Sequence, residues 1–164
     1  MALVDEVLDR YRLMSDRHEL VLDRRVDSLV VVCDRDRIER SVDNIVSNAV
    51  KFSPRGGQIS ASVSEARLKA SRQAVITIAD HGRGIPEDER GTVLDQFRRG
   101  SNVSDVPGSV LGLWSVRQIV EQHGGSLEIA SKVGEGSTVT MRLPLATPDG
   151  SASKRSGRGR PSAG

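Results

Sequence analysis

DRDRIERSVDNIVSNAVKFSPRGG, residues 34–57, holds the helix around which the rest of the chain can be arranged. Ile38, Val42, Ile45, Val46, Ala49 and Val50 recur at helical spacing and form one apolar stripe. Asp34 and Asp36 both offer a helix start, and Asp36 with Glu39 has the spacing of a capping pair. The run Ser53-Pro54-Arg55-Gly56-Gly57 ends the helix. Away from the stripe, Asn44 and Asn48 stand four apart on a shared face, with Lys51 three further on.

Working outward, Leu3, Val4, Val7, Leu8 and Tyr11 predict an amphipathic helix over residues 2–13. Two short apolar runs, Leu20–Leu22 and Leu29–Cys33, read as a pair of strands. Ile59, Ala61 and Val63 alternate with polar residues as in a half-buried strand. Ala74–Ala79 is more continuously apolar and suits a central strand, with residues 66–73 as the turn between the two. A short helix is expected over Glu87–Phe97, behind Pro86, and residues 98–110 read as a mobile loop. A second long helix follows from Leu111 to Gln122, stopped by His123-Gly124-Gly125. Strands at Leu127–Ser131 and Thr138–Leu143 flank the turn at 133–136. The sum is an α/β two-layer sandwich, one mixed sheet covered on one face by helices.

At 164 residues the chain has room for one domain with a real core. Tyr11, Phe52, Phe97 and Trp114 are all its aromatics, so that core must be aliphatic. Residues 1–146 are expected to form the domain. Residues 147–164 turn to Ser, Gly, Arg and Pro, a composition that cannot bury enough surface to fold. The tail carries a net +3 from Lys154, Arg155, Arg158 and Arg160 against Asp149, which leaves the domain at −1 within the overall +2. A near-neutral domain argues against nucleic acid as partner. The single Cys33 reads as a buried reduced thiol outside any disulfide framework. No apolar stretch reaches the length of a membrane span and the acidic start MALVDEVLDR does not suit a signal peptide, so the expected location is cytoplasmic.

Three segments carry chemistry. A side-chain amide such as that of Asn48 can ligate Mg²⁺ where phosphates and water supply the other oxygens, and Lys51 can offset phosphate charge. The same triplet also suits a solvated helix face. In Asp80–Pro86 (DHGRGIP), a carboxylate at a strand end can accept from an exocyclic amine, and Gly82 and Gly84 let backbone approach a flat ring. An ordinary Asp-Gly turn would read alike. In Gly108–Val120 (GSVLGLWSVRQIV), Gly108 and Gly112 precede a helix whose free amides attract phosphate.

Taken in order, the segments resemble the catalytic ATP-binding domain of bacterial sensor histidine kinases, within the superfamily that includes gyrase and the heat-shock chaperone ATPases. NIVSNAVKFS is similar to that family's asparagine box and DHGRGIP to its first glycine box. QFRRG (96–100) is similar to its phenylalanine box, GSVLGLWSVRQIVEQHGG to its second glycine box, and SKVGEGSTVTMRLP (131–144) to its closing hairpin. The resemblance covers about residues 1–145 and implies the Bergerat-type ATP-binding fold, with a mostly antiparallel sheet. It implies Mg²⁺ on Asn48, Asn44 and Lys51 near the phosphates, and Arg99 as a further phosphate contact. Asp80 would recognise adenine, with Gly82, Gly84, Ile85, Phe52 and Thr138 around the base. Gly108, Gly112 and Leu113 would serve the phosphates from the lid side. The implied partner is a histidine phosphoacceptor domain, in a longer parent or in trans, with a response regulator reached indirectly; the isolated domain would be a monomer.

Two features depart from the family pattern. Val110 stands where the second glycine box has its middle Gly, and valine resists positive φ. Val110→Gly is therefore expected to tighten ATP binding in calorimetry; unchanged affinity would show the departure harmless. His18-Glu19-Leu20 looks like an acceptor motif, yet it lies 30 residues before Asn48 in a strand-like run, without the required helix pair. His81 and His123 sit in glycine turns and read as structural. Where related hydrolases and anti-sigma serine kinases commonly carry a Glu, four residues before the metal-binding Asn, this chain has Asn44, which has no useful basicity. A neutral histidine is nucleophilic without such help, so phosphorylation of histidine is favoured. The alternatives are a nucleotide-binding regulatory module that does no chemistry and, behind it, an anti-sigma-type serine kinase.

Overall fold

The computed structural model describes residues 2–27, 29–68, 71–87 and 111–146. Eight elements follow one another: α1 (Ala2–Met14), β1 (His18–Arg24), α2 (Arg35–Phe52), β2 (Gly57–Leu68), β3 (Ser71–Ala79), α3 (Leu111–Gln122), β4 (Ser126–Lys132) and β5 (Gly136–Pro144). The strands form one sheet in the order β1-β2-β3-β5-β4. β1 runs parallel to β2 and every other neighbour is antiparallel. The mixed, mostly antiparallel two-layer sandwich is thus the architecture found, with β3 at its centre.

Strand alternation sets the core face. Ile59, Ala61 and Val63 on β2, Ile76 and Ile78 on β3, and Val139, Met141 and Leu143 on β5 are all buried. Registered pairs such as Ala61 with Ile78, and Ile78 with Val139, put them on one side of the sheet. Against them α2 buries Ile38, Val42, Ile45, Val46 and Ala49, the stripe expected from periodicity. α1 adds Val4, Val7 and Leu8, and α3 adds Val116 and Val120. Each such side chain contributes about 1.5–3 kcal/mol by burial. An N-cap contributes about 1 kcal/mol, so packing is what holds α2 in place.

Four local expectations are corrected. Leu29–Cys33 is not a strand. β1 takes β2 as its partner, and the 29–33 segment instead closes the end of the core, with Leu29, Val31 and Cys33 beside Leu3, Val4 and Ile38. Asp34, not Asp36, caps α2, its carboxylate accepting from the Arg37 N–H at 3.2 Å, while Glu39 pairs with Arg10 at 2.8 Å. Residues 66–73 are mostly strand: the β2–β3 ladder continues to Leu68 opposite Ser71, where Arg72 grips Glu65 through two bonds of 2.6 and 2.7 Å. Cys33 is free but only partly buried, and that burial pushes its thiol pKa up. The helix expected over Glu87–Phe97, the 98–110 loop and the 147–164 tail lie outside the described residues, apart from Glu87 itself. No helix among the described residues is long and apolar enough to cross a membrane.

Candidate functional site

β3 ends at Ala79, and Asp80 follows directly at the end of this central strand. Its Oδ1 accepts from the Gly82 N–H at 2.8 Å and the Ser137 N–H at 3.3 Å, while its own N–H donates to the Ser137 carbonyl at 2.9 Å. Among the described residues no donor reaches Oδ2. Burial raises the Asp80 pKa above the ordinary carboxylate range, against the pull of those two amides and, least, of His81. The carboxylate is therefore oriented by backbone on one oxygen and left with accepting capacity on the other.

The loop that follows is pinned from two sides. The Phe52 carbonyl, at the C-terminus of α2, accepts from the Arg83 N–H at 2.9 Å. From the β4–β5 hairpin, the Gly134 N–H donates to the Arg83 carbonyl at 2.8 Å, and the Ser131 hydroxyl accepts from the Ile85 N–H at 2.8 Å. Gly84 sits between them at φ +69°, where an added Cβ would come within 2.0 Å of the Lys132 carbonyl oxygen. Only glycine meets both conditions.

Asn44 and Asn48 face the start of α3. A Cβ on Gly112 would sit 3.4 Å from Asn44 Oδ1 and 3.7 Å from Asn48 Nδ2, ordinary contact distances that place the start of α3 directly against this face of α2. Asn48 and Asp80 line a common cavity of about 30 Å³ whose apolar walls include Ile45, Ile78, Leu113 and Val139. Ile85 lines it from the loop and Ser137 from β5. That volume accommodates a water or the edge of a ring.

Of the residues singled out from sequence, Asn48, Asp80, Ile85 and Leu113 meet at this cavity, and Asn44 and Gly112 adjoin it. Gly82 contributes its N–H to Asp80 and Gly84 shapes the loop. Lys51 is exposed on the last turn of α2, and Phe52 is half-buried with its carbonyl on the loop. Thr138 does not line this cavity, whereas Ser137 and Val139 on either side of it do. Ser131 and Ser137 were missed, and their hydroxyls bond each other at 2.9 Å. The inward series Val139, Met141, Leu143 extended back by one step would have found Ser137. Arg99, Gly108 and Val110 lie outside the described residues.

The three histidines are all engaged. His18 bonds Ser15 Oγ at 2.7 Å and the Ser53 carbonyl at 2.9 Å, within β1 and not on a helix pair. His81 reaches the Gln58 carbonyl at 3.3 Å, and His123 bridges two helices. Among the described residues no cluster of His, Cys, Asp or Glu is arranged to hold a metal by itself.

The sequence profile of the histidine kinase-, DNA gyrase B-, and HSP90-like ATPases matches residues 33–147. The chain belongs to that family. Sensor histidine kinase WalK of Bacillus subtilis is 33% identical over 141 residues, which cover 84% of this chain and 23% of that protein. The solved structure of the mycobacterial sensor histidine kinase MprB matches with a TM-score of 0.73 at 30% identity, covering 88% of this chain and 93% of that one. The ATP-binding domain of PrrB from Mycobacterium tuberculosis matches at 0.65 and 26% identity, covering 89% and 93%. The chain thus spans under a quarter of the length of WalK.

Proposed function

We propose that the chain binds Mg-ATP and donates the γ-phosphoryl group to a histidine on a separate helical-hairpin acceptor domain, as the catalytic unit of a two-component sensor kinase. The observation that carries this reading is the pairing across one cleft of Asp80, with an accepting oxygen left over, and Asn48. An adenine amine is the natural donor to Asp80, with Ile85, Leu113 and the aliphatic walls against the ring. The Asn48 amide oxygen fits a Mg²⁺ site completed by phosphate and water oxygens, and no further carboxylate is needed. When bound there, the ion neutralises charge on the phosphates. Lys51, Arg99 and the amides near Gly108 and Gly112 would hold the transferring group. Asn44 supplies polarity without basicity, so the acceptor imidazole itself attacks phosphorus; an N–P bond forms, the bond to the bridging oxygen breaks, and ADP leaves.

The test supplies γ-labelled ATP, Mg²⁺ and a purified helical-hairpin domain of a sensor kinase to the full chain. Acid-labile, base-stable label on the hairpin histidine is the expected result. Tight ATP binding without transfer to any of several hairpins would favour the regulatory-module reading, and acid-stable label on serine would favour a serine kinase.

A further inference from the structure

α2 and α3 run side by side in opposite directions. Asn44 and Asn48 on α2 meet Gly112 at the start of α3, while Asp34 and Arg37 at the start of α2 meet Gln122 and His123 at the end of α3. The two contact zones are about ten residues apart along each helix, roughly 15 Å.

The far zone is built around one imidazole. His123 Nδ1 lies 2.7 Å from the Ile119 carbonyl, which can only accept, so Nδ1 carries the proton. Nε2 lies 3.0 Å from the Asp34 backbone N–H, which can only donate, so Nε2 is a bare acceptor. Both bonds are made by one species, the neutral Nδ1–H tautomer. Asp34 is the N-cap of α2, its carboxylate on the Arg37 N–H and its carbonyl on the Ile38 N–H. His123 is the residue that closes α3: the Gly124 N–H returns to Glu121 at 2.9 Å and the Gly125 N–H to Val120 at 2.9 Å, the Schellman pattern. The imidazole therefore ties the cap of one helix to the cap of the other. A parallel bond joins Arg37 to Gln122 at 3.0 Å.

We infer that His123 is a positioning residue for the nucleotide site: as the Nδ1–H tautomer it sets the register of α3 on α2, and thereby the placement of Gly112 and Leu113 against Asn44 and Asn48. This rests on the proposed nucleotide binding. It assigns to the Gln122-His123-Gly124 turn a role in binding that it does not perform by contact, since the bridge stands a helix length from the cavity.

The experiment uses the full chain. Ring-nitrogen NMR on ¹⁵N-histidine protein should report a protonated Nδ1 and an unprotonated Nε2 for His123; the reverse tautomer would overturn the inference whatever the variants do. His123→Phe, which fills the space without either bond, should weaken Mg-ATP binding about fivefold by calorimetry, the worth of one net hydrogen bond. His123→Gln, whose amide offers both an acceptor and a donor, should recover to within about twofold. Arg72→Ala, which removes a surface ion pair at the opposite end of β3 from Asp80, should leave affinity unchanged. Equal affinity for wild type and the Phe variant would sink the inference; should that variant not fold, the tautomer and the Gln variant decide. Wild-type protein that does not bind Mg-ATP would instead sink the functional reading and leave the tautomer result standing.

Discussion

Asp80→Asn should lower Mg-ATP affinity by about 100-fold while leaving the protein as stable as before, or more so. The substituted amide keeps an oxygen that can take the Gly82 and Ser137 N–H groups, so the loop keeps its shape. Its other atom becomes an NH₂ group, and where the carboxylate accepts from adenine the amide presents donor to donor. A charge-assisted bond lost, with a buried donor left opposed, accounts for about two orders of magnitude. The stability half follows from the raised pKa of Asp80, whose first cause is burial. A carboxyl whose folded pKa lies above its unfolded one contributes stability that is fully present below the unfolded value, near 3.9. That contribution is lost as pH rises through the folded value. At neutral pH the ionised group is thus a cost, which Asn removes. Calorimetry with Mg-ATP and thermal unfolding at pH 7 check both halves. Wild-type affinity in the variant would refute the adenine contact, and a lower melting temperature would refute the account of burial.

The same residue shows what could be read in advance. Asp80 is legible because a carboxylate at the end of an apolar strand, followed by alternating glycines, is a local pattern. The α2 stripe is legible for the same reason: Ile38, Val42, Ile45, Val46 and Ala49 obey a period that packing then uses without change. The misses are cases where a partner distant in sequence decides. Leu29–Cys33 has the composition of a strand, yet it leads straight into the cap of α2, where His123 holds the Asp34 N–H, and it lies over the end of the core beside Leu3, Val4 and Ile38. Spacing gives Asp36 a capping partner in Glu39, yet the cap is Asp34, whose N–H the end of α3 holds. Ser131 and Ser137 carry no apolar signal and acquire their role only when β5 lies beside β3. His123 shows no pattern of its own, because its meaning depends on a backbone N–H 89 residues away.

Gly84→Ala should unfold the site, whereas Gly134→Ala should not, although both glycines have positive φ. At Gly134, φ is +78° and an added Cβ meets nothing within 4 Å, so the cost is conformational alone, about 1–2 kcal/mol. For a domain of this size that is a fall in melting temperature of about 3–8 °C, with nucleotide affinity within about twofold of wild type. At Gly84 the same conformational cost applies at φ +69°, and the Cβ is also driven to 2.0 Å from the Lys132 carbonyl oxygen. Both sides of that contact are backbone, so no side chain can swing away. Relief requires the 80–85 loop and the β4–β5 hairpin to separate, which breaks the Gly134–Arg83 and Ile85–Ser131 bonds, each 2.8 Å, and loosens the frame that aims Asp80. The combined cost is about 3 kcal/mol or more, a drop of about 10 °C, with Mg-ATP binding below detection. Thermal unfolding and calorimetry on the two variants side by side separate the contributions. Equal melting temperatures would mean that the loop is not clamped by the hairpin, and that the frame around Asp80 must be sought elsewhere.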